Sequence, residues 1–145
     1  MPFSLQAAMG YAQFQRLDEL IARKRWMYDS YRKYLSDIED IQFNAEPPGG
    51  FNGVWITALV FGKSHGLTKQ DAMERLQRLG LPVRPFFYPL SCIPAYRGME
   101  AIYRSRNPLA YDISDRGINL PCAFILTEEL IREYCDGLRS IVKPR

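Results

Sequence analysis

The chain has 145 residues, 47% of them hydrophobic, which is the size of one domain and enough to bury roughly 70% of the unfolded surface around a core. Nineteen basic and sixteen acidic residues leave a net charge of +3 with no run of like charges. That field is too weak for a nucleic-acid or membrane-surface footprint, and no apolar run approaches the roughly 20 residues of a spanning helix.

The first predicted element is a helix from Ser4 to about Ile38. The stretch holds no proline and only Gly10 as a breaker, and Leu5, Met9, Ala12, Leu17, Ile21, Met27, Tyr31, Tyr34 and Ile38 recur at helical spacing. Ser4 reads as its N-cap, with Pro2 outside. Roughly 35 helical residues span about 50 Å, more than a domain of this size covers, so part of the helix is expected to face another body. The half LQAAMGYAQFQRL, rich in small residues, is the expected contact face. Residues 1–39 read as a linking helix and residues 40–145 as the domain proper.

IQF at 41–43 reads as a short strand, followed by the loop NAEPPGGFNG. VWITALVF at 54–61 is apolar on both faces, the mark of a central strand covered on two sides. In the next helix Thr68 is the N-cap with Asp71 in the reciprocal position, Leu67 and Ala72 can form a staple, and Gly80 ends it. LPVRPFF is a strand, and a short amphipathic stretch around Met99 to Tyr103 follows. Asn107 and Pro108 open another helix, Gly117 stops it, and INLP is a strand. Thr127 caps the last helix, with Glu128 and Glu129 at its positive end and Leu130, Ile131, Tyr134, Cys135, Leu138, Ile141 and Val142 as the buried stripe. The order helix, strand, strand, helix, strand, helix, strand, helix gives an α/β fold, a small mixed sheet covered by helices behind a long N-terminal helix.

Local chemistry is sparse. Cys92, Cys122 and Cys135 form no CxxC and stand beside a single histidine, His65, which argues against a zinc site or disulfide framework and for a reducing cytoplasm. FGKSHG ends like a phosphate loop, but that pattern needs glycine at position 57, where Thr57 stands inside a strand. His65 reads as a solvated loop histidine without a ligand cluster or triad around it. Asp37, Glu39 and Asp40 read as solvating a helix end. The segment VRPFFYPLS, residues 83–91, is the one unusual stretch: Pro85 and Pro89 confine it to an edge or loop, yet it carries three consecutive aromatics and Arg84.

Three segments, LQAAMGYAQFQRLDELIARKR, VRPFFYPLSCIPAY and NPLAYDISDRGINLPCAFILTEELI, resemble the C-terminal part of the DegT/DnrJ/StrS family of pyridoxal-phosphate-dependent sugar aminotransferases, within it the GDP-perosamine synthase-like branch. Four blocks recur in the family order across essentially the whole chain: the LQAA helix, the arginine-to-PL turn, the PxA-to-LP segment and the final threonine-capped helix. The resemblance implies the small domain of an aspartate-aminotransferase-like fold, its long helix running against a large domain and a dimer partner. It also implies that the cofactor lysine, the aspartate facing the pyridine nitrogen and most of the phosphate cup belong to that large domain. None of Lys24, Lys33, Lys63, Lys69 and Lys143 sits in the lysine's motif, so pyridoxal phosphate (PLP) is expected in the full-length family and not on this chain alone.

In an intact enzyme the resemblance places Arg84 and Tyr88 at the mouth of the active site. Arg84 would hold the anionic part of a nucleotide sugar, and Phe86, Phe87 and Tyr88 would form an apolar wall. In the alternative, the aromatics plug the space between sheet and long helix while Arg84 pairs with a carboxylate. Two positions depart from the family: MPFS replaces an Asn/Tyr-Arg-Met run, and Ser91 stands where many members have histidine. The implied function is a portion of an aminotransferase that turns keto-sugar nucleotides into amino sugars for surface polysaccharide, catalytically incomplete alone. The other reading is a free-standing, non-catalytic binding or dimerisation module. An excised domain, a split-gene product and a truncated remnant all stay open. Partners are a second copy or a separate large-domain chain, with neither nucleic acid nor membrane.

Overall fold

The fold is described from a computed structural model covering residues 3–96 and 98–142; Pro2 and Lys143, named above, lie outside the described residues. Strands β1 (Ile41–Phe43), β2 (Thr57–Phe61), β3 (Arg84–Pro85) and β4 (Gly117–Leu120) form one sheet in the order β1-β2-β4-β3. Ile41 faces Phe61, Thr57 faces Leu120 and Arg84 faces Asn119, all in antiparallel pairs. The sheet is therefore antiparallel rather than mixed. β2 and β3 do run parallel, as a strand-helix-strand unit requires, but β4 inserts between them and opposes both.

Alternation along β2 and β4 assigns the two faces. Leu59, Phe61, Ile118 and Leu120 face the core together with side chains of α2 (Leu17–Tyr34), α3 (Lys69–Arg78) and α6 (Glu128–Ile141). Met27, Tyr31, Leu76, Ile131 and Leu138 are the buried anchors of those helices. The opposite face carries Ala58, Val60, Gly117 and Asn119, with α5 (Pro108–Arg116) beside Val60.

The caps follow the sequence. Thr68 Oγ1 accepts from the Asp71 amide at 3.2 Å while Asp71 Oδ2 accepts from the Thr68 amide at 3.0 Å. Gly80 follows the last turn of α3 at φ +78°, a backbone state that favours glycine. Thr127 Oγ1 accepts from the Leu130 amide at 3.3 Å, and Ile131, Tyr134, Cys135, Leu138 and Ile141 form the buried stripe of α6. Leu130 lies on the exposed side, and Val142 is half-buried. Pro108 takes the first position of α5, but the Asn107 side chain does not cap it; its Nδ2 donates to the Tyr103 carbonyl and closes α4 (Glu100–Arg106) instead.

The N-terminal helix is not continuous. α1 (Ser4–Phe14) ends before Arg16, whose backbone leaves helical geometry at φ −109° and ψ 14°. The Arg16 guanidinium turns onto Glu19 in the first turn of α2, at 2.8 Å and 3.1 Å, and so fixes a new helix start. Phe3, not Ser4, is the N-cap residue, its amide donating to Gln6 Oε1 at 2.9 Å. α2 stops at Tyr34, short of Ile38; Ser36 Oγ donates to the Lys33 carbonyl at its end. No residue of α1 is buried.

His65 also differs from expectation. It is buried, its Nε2 2.9 Å from the Glu39 carbonyl, because a 3-10 turn at Lys63–His65 tucks it under the 37–40 loop. Asp37 is held by Arg139, and Asp40 accepts from the Ser64 amide and hydroxyl. The Asp40 carboxylate occupies the space over Gly62, where an added Cβ would lie 1.8 Å from Asp40 Cγ. These acids are structural ligands of turns rather than a solvated helix end.

Candidate functional site

The first half of the segment 83–91 is held on both sides of Arg84 and Pro85. Tyr134 Oη donates to the Pro82 carbonyl at 3.0 Å, and the Phe86 amide donates to the Gly117 carbonyl at 3.1 Å. Between them Arg84 and Pro85 form the edge strand, where proline's missing donor does no harm. The neighbouring segment, residues 121–126, is tied down by α2: Arg23, Lys24 and Tyr31 donate to the carbonyls of Leu126, Cys122 and Pro121 at 2.5, 2.6 and 3.1 Å.

A cleft of about 400 Å³ opens between these segments, lined by Lys24, Ile56, Val83, Arg84, Asn119 and Cys122 among others. Two cations border it and its lining includes no carboxylate. Arg84 is exposed, and among the described residues its side chain has neither an ion pair nor a hydrogen bond. The proposed pairing of Arg84 with a carboxylate is therefore not what the structure holds. Directly across the ladder stands Asn119, 3% exposed, whose Nδ2 donates to the Pro85 carbonyl at 2.9 Å while its Oδ1 is buried without a partner among the described residues.

The aromatics sit elsewhere. Phe86 covers Gly117, where an added Cβ would meet the Phe86 Cβ at 2.8 Å, and its ring meets Phe87 edge-on at 5.9 Å. Phe87 in turn stacks on Trp55 at 5.9 Å and 30°. Phe87 and Tyr88 are 57% and 55% exposed, so they do not plug a gap beneath the N-terminal helix. The Tyr88 ring lies over Lys69, whose Nζ is 3.4 Å from the ring centroid and 3.2 Å from Ser114 Oγ. Burial pushes the Lys69 amine below the ordinary lysine range. Neither Phe87 nor Tyr88 lines the Arg84 cleft. Ser91, the position that departs from the family, pairs its hydroxyl with Tyr111 Oη at 2.5 Å beside a second, apolar cavity of about 360 Å³.

Three residues of this region were not singled out by the sequence. Asn119 had a signal: a lone amide inside the apolar strand INLP. Trp55 falls inside the strand expected over 54–61, but β2 begins at Thr57 and leaves Trp55 exposed. Lys69 had none, since a lysine in the first turn of a helix ordinarily points to solvent. Among the described residues no group of three His, Cys, Asp or Glu side chains could hold a metal ion.

The comparisons agree with one another. A profile of the DegT/DnrJ/EryC1/StrS aminotransferase family matches residues 3–139. GDP-perosamine synthase from Vibrio cholerae is 31% identical over 137 residues, covering 94% of this chain and 36% of that protein. GDP-perosamine synthase from Escherichia coli O157:H7 is 28% identical, covering 96% and 36%. The structure of DesI in the presence of its TDP-sugar product superposes with a TM-score of 0.78 at 24% identity, covering 93% of this chain and 34% of DesI. Helicobacter pylori PseC, an aminotransferase of pseudoaminic acid biosynthesis, gives 0.78 at 16% identity. The chain spans about a third of the length of these proteins, and the family to which they point is PLP-dependent. With the match running through α1 to α6, the chain belongs to the DegT/DnrJ/EryC1/StrS aminotransferase family.

Proposed function

We propose that this chain is the small-domain portion of a PLP-dependent nucleotide-sugar aminotransferase, catalytically incomplete alone, which serves conversion of a keto-sugar to an amino sugar for surface polysaccharide. The observation that carries the reading is the pair Arg84 and Asn119: an unengaged guanidinium opposite an orphaned amide oxygen, at a cleft bordered by cations and no carboxylate. A guanidinium offers a planar fork to a phosphate oxygen pair. A buried acceptor left unpaired costs about 1–3 kcal/mol; Asn119 Oδ1 is closed to solvent, so the exposed Arg84 guanidinium is the group that an arriving ligand meets. Phe87 with Trp55, and Tyr88 beside them, present exposed ring faces suited to a sugar or cofactor wall.

Bound pyridoxal phosphate supplies the electron sink for amino transfer. The described side chains do not fit it. The cleft has no acid to face the pyridine nitrogen, Lys24 is spent on the Cys122 carbonyl, Lys69 is buried under Tyr88, Lys63 faces Asp112 at 3.6 Å, and Lys33 lies on the exposed side of α2. The amine and its acid are thus assigned to a large domain, carried by a separate chain or a longer polypeptide, with residues 1–39 as the link. No helix among the described residues is long and apolar enough to cross a membrane, in keeping with a cytoplasmic enzyme that acts on nucleotide sugars.

Calorimetric titration of the chain with guanosine diphosphate tests the reading. The expected result is salt-sensitive binding that Arg84→Ala weakens by about tenfold. Affinity that is unchanged in Arg84→Ala overturns it, as does the absence of binding.

The second reading, a dimerisation module, rests on α1, which exposes Leu5, Met9, Tyr11 and Phe14 and contains no charged residue.

A further inference from the structure

A lysine at the first position of α3 ordinarily extends into water. Lys69 does not: it is 7% exposed, and among the described residues no carboxylate forms an ion pair with it. Burying an ammonium in this way is costly unless it is paired. Its two contacts are the Ser114 hydroxyl of α5, at 3.2 Å, and the face of Tyr88, at 3.4 Å from the centroid. Cation over ring is attractive, and more so when both are withdrawn from water. Tyr88 for its part is bracketed by Phe87 and Pro89, is more than half exposed, and has no hydrogen bond from its hydroxyl among the described residues. The Lys69 ammonium is therefore what fixes one face of this ring.

We propose that Lys69 is a positioning residue: anchored on Ser114, it clamps the inner face of Tyr88 and thereby orders the segment 86–89 so that the outer face of the ring is presented to a ligand. This inference rests on the reading of Tyr88 as a substrate wall only for its consequence, since the clamp itself is a property of the isolated chain. The charged and titratable groups that face Lys69 are Asp115 on α5 and Cys92 on the following 3-10 turn; both favour the ammonium, against the larger effect of burial. The clamp is accordingly present when Lys69 is protonated and released as pH rises through its lowered pKa.

Carbon-13 labelling of the lysine ε-methylenes reads this directly in the full chain. The expected spectrum has one ε-methylene shifted upfield by the Tyr88 ring, returned to the common position in Tyr88→Leu, and titrating below the ordinary lysine range. In parallel, chymotryptic cleavage between Phe87 and Tyr88 is expected to accelerate about fivefold in Lys69→Met and to stay near the native rate in Lys69→Arg, which keeps the cation. Circular dichroism establishes that each variant is folded. A Lys69 signal lying with the exposed lysines overturns the proposal even if Lys69→Met fails to fold, and so does an unchanged cleavage rate in folded Lys69→Met. Guanosine diphosphate binding unaffected by Tyr88→Leu would instead overturn the substrate-wall reading and leave the clamp standing.

Discussion

Arg84 and Asn119 face one another across the β3–β4 ladder, and the strands hold them there although neither polar end has found its full complement. This has a consequence for stability that is separate from any ligand. Asn119→Ala loses one hydrogen bond, from Nδ2 to the Pro85 carbonyl, but also removes an orphaned acceptor. The two effects oppose, so the variant is expected to stay within about 1 kcal/mol of the parent, and exposed Arg84→Ala within about 0.5 kcal/mol. Urea denaturation checks both. A loss near 3 kcal/mol for Asn119→Ala would mean that its oxygen is paired in solution.

α1 and α3 are expected to respond oppositely to truncation of a leucine. Leu76 on α3 is fully buried, and Leu76→Ala should destabilise the fold by about 2–5 kcal/mol. Leu5 on α1 is 73% exposed, so Leu5→Ala should leave monomer stability unchanged. It should instead reduce self-association, because the uncharged face of α1 is the largest unpartnered apolar surface of that segment. Sedimentation across a wide concentration range is the check; a strictly monomeric parent contradicts the association.

The cysteines should divide by burial. Cys135 lies in the α6 stripe, and burial pushes its thiol up to about 12. Cys92 and Cys122 are half-buried. A thiol reagent at about pH 8 should reach Cys92 and Cys122 in the native chain and Cys135 only after denaturant, since the thiolate is the reacting form. Rapid native modification of Cys135 would contradict this packing.

Acid sensitivity follows from three turns. Asp40 is held below the usual carboxylate range by the Ser64 hydroxyl and amide, Asp37 by Arg139, and Asp71 by Thr68. A depressed folded pKa means stability that is present above the unfolded value, near 3.9, and lost as pH falls through the folded one. The Lys69 pKa is also lowered, chiefly by burial, so stability again rises with pH between its folded and unfolded values, but on the alkaline side of the curve. Asp40→Asn should lower stability at neutral pH and flatten the acid limb of a stability-against-pH curve. An acid limb identical to the parent's would show that the Ser64 contacts contribute nothing.

What the sequence made legible were features set by near neighbours. The Thr68 and Asp71 box, the Thr127 cap, Gly80 at positive φ and the stripe from Ile131 to Ile141 are all decided within one or two helical turns. The family blocks added the small-domain architecture. What escaped were outcomes of long-range contact. Arg16 breaks the N-terminal helix by gripping Glu19, where composition offered no breaker. His65 and Lys69 are polar residues in ordinary surface positions, buried because the 37–40 loop and the 86–91 segment close over them. Trp55 looked like strand interior and became an exposed stacking partner of Phe87. Arg84 was named from a family motif, yet its meaning depends on Asn119, which β4 brings opposite from 35 residues away.

Under the proposed function, this chain carries the substrate-side part of an aminotransferase site and not its cofactor amine. The direct measurement uses two samples: the chain with pyridoxal phosphate alone, reduced with borohydride and mapped for modified lysines by mass spectrometry, and the chain with pyridoxal phosphate and an amino donor, glutamate, assayed unreduced for 2-oxoglutarate against a protein-free control. Scattered, substoichiometric labelling of exposed lysines and no 2-oxoglutarate above the control are expected. A one-to-one adduct on a single lysine, accompanied by 2-oxoglutarate formation, would contradict that reading.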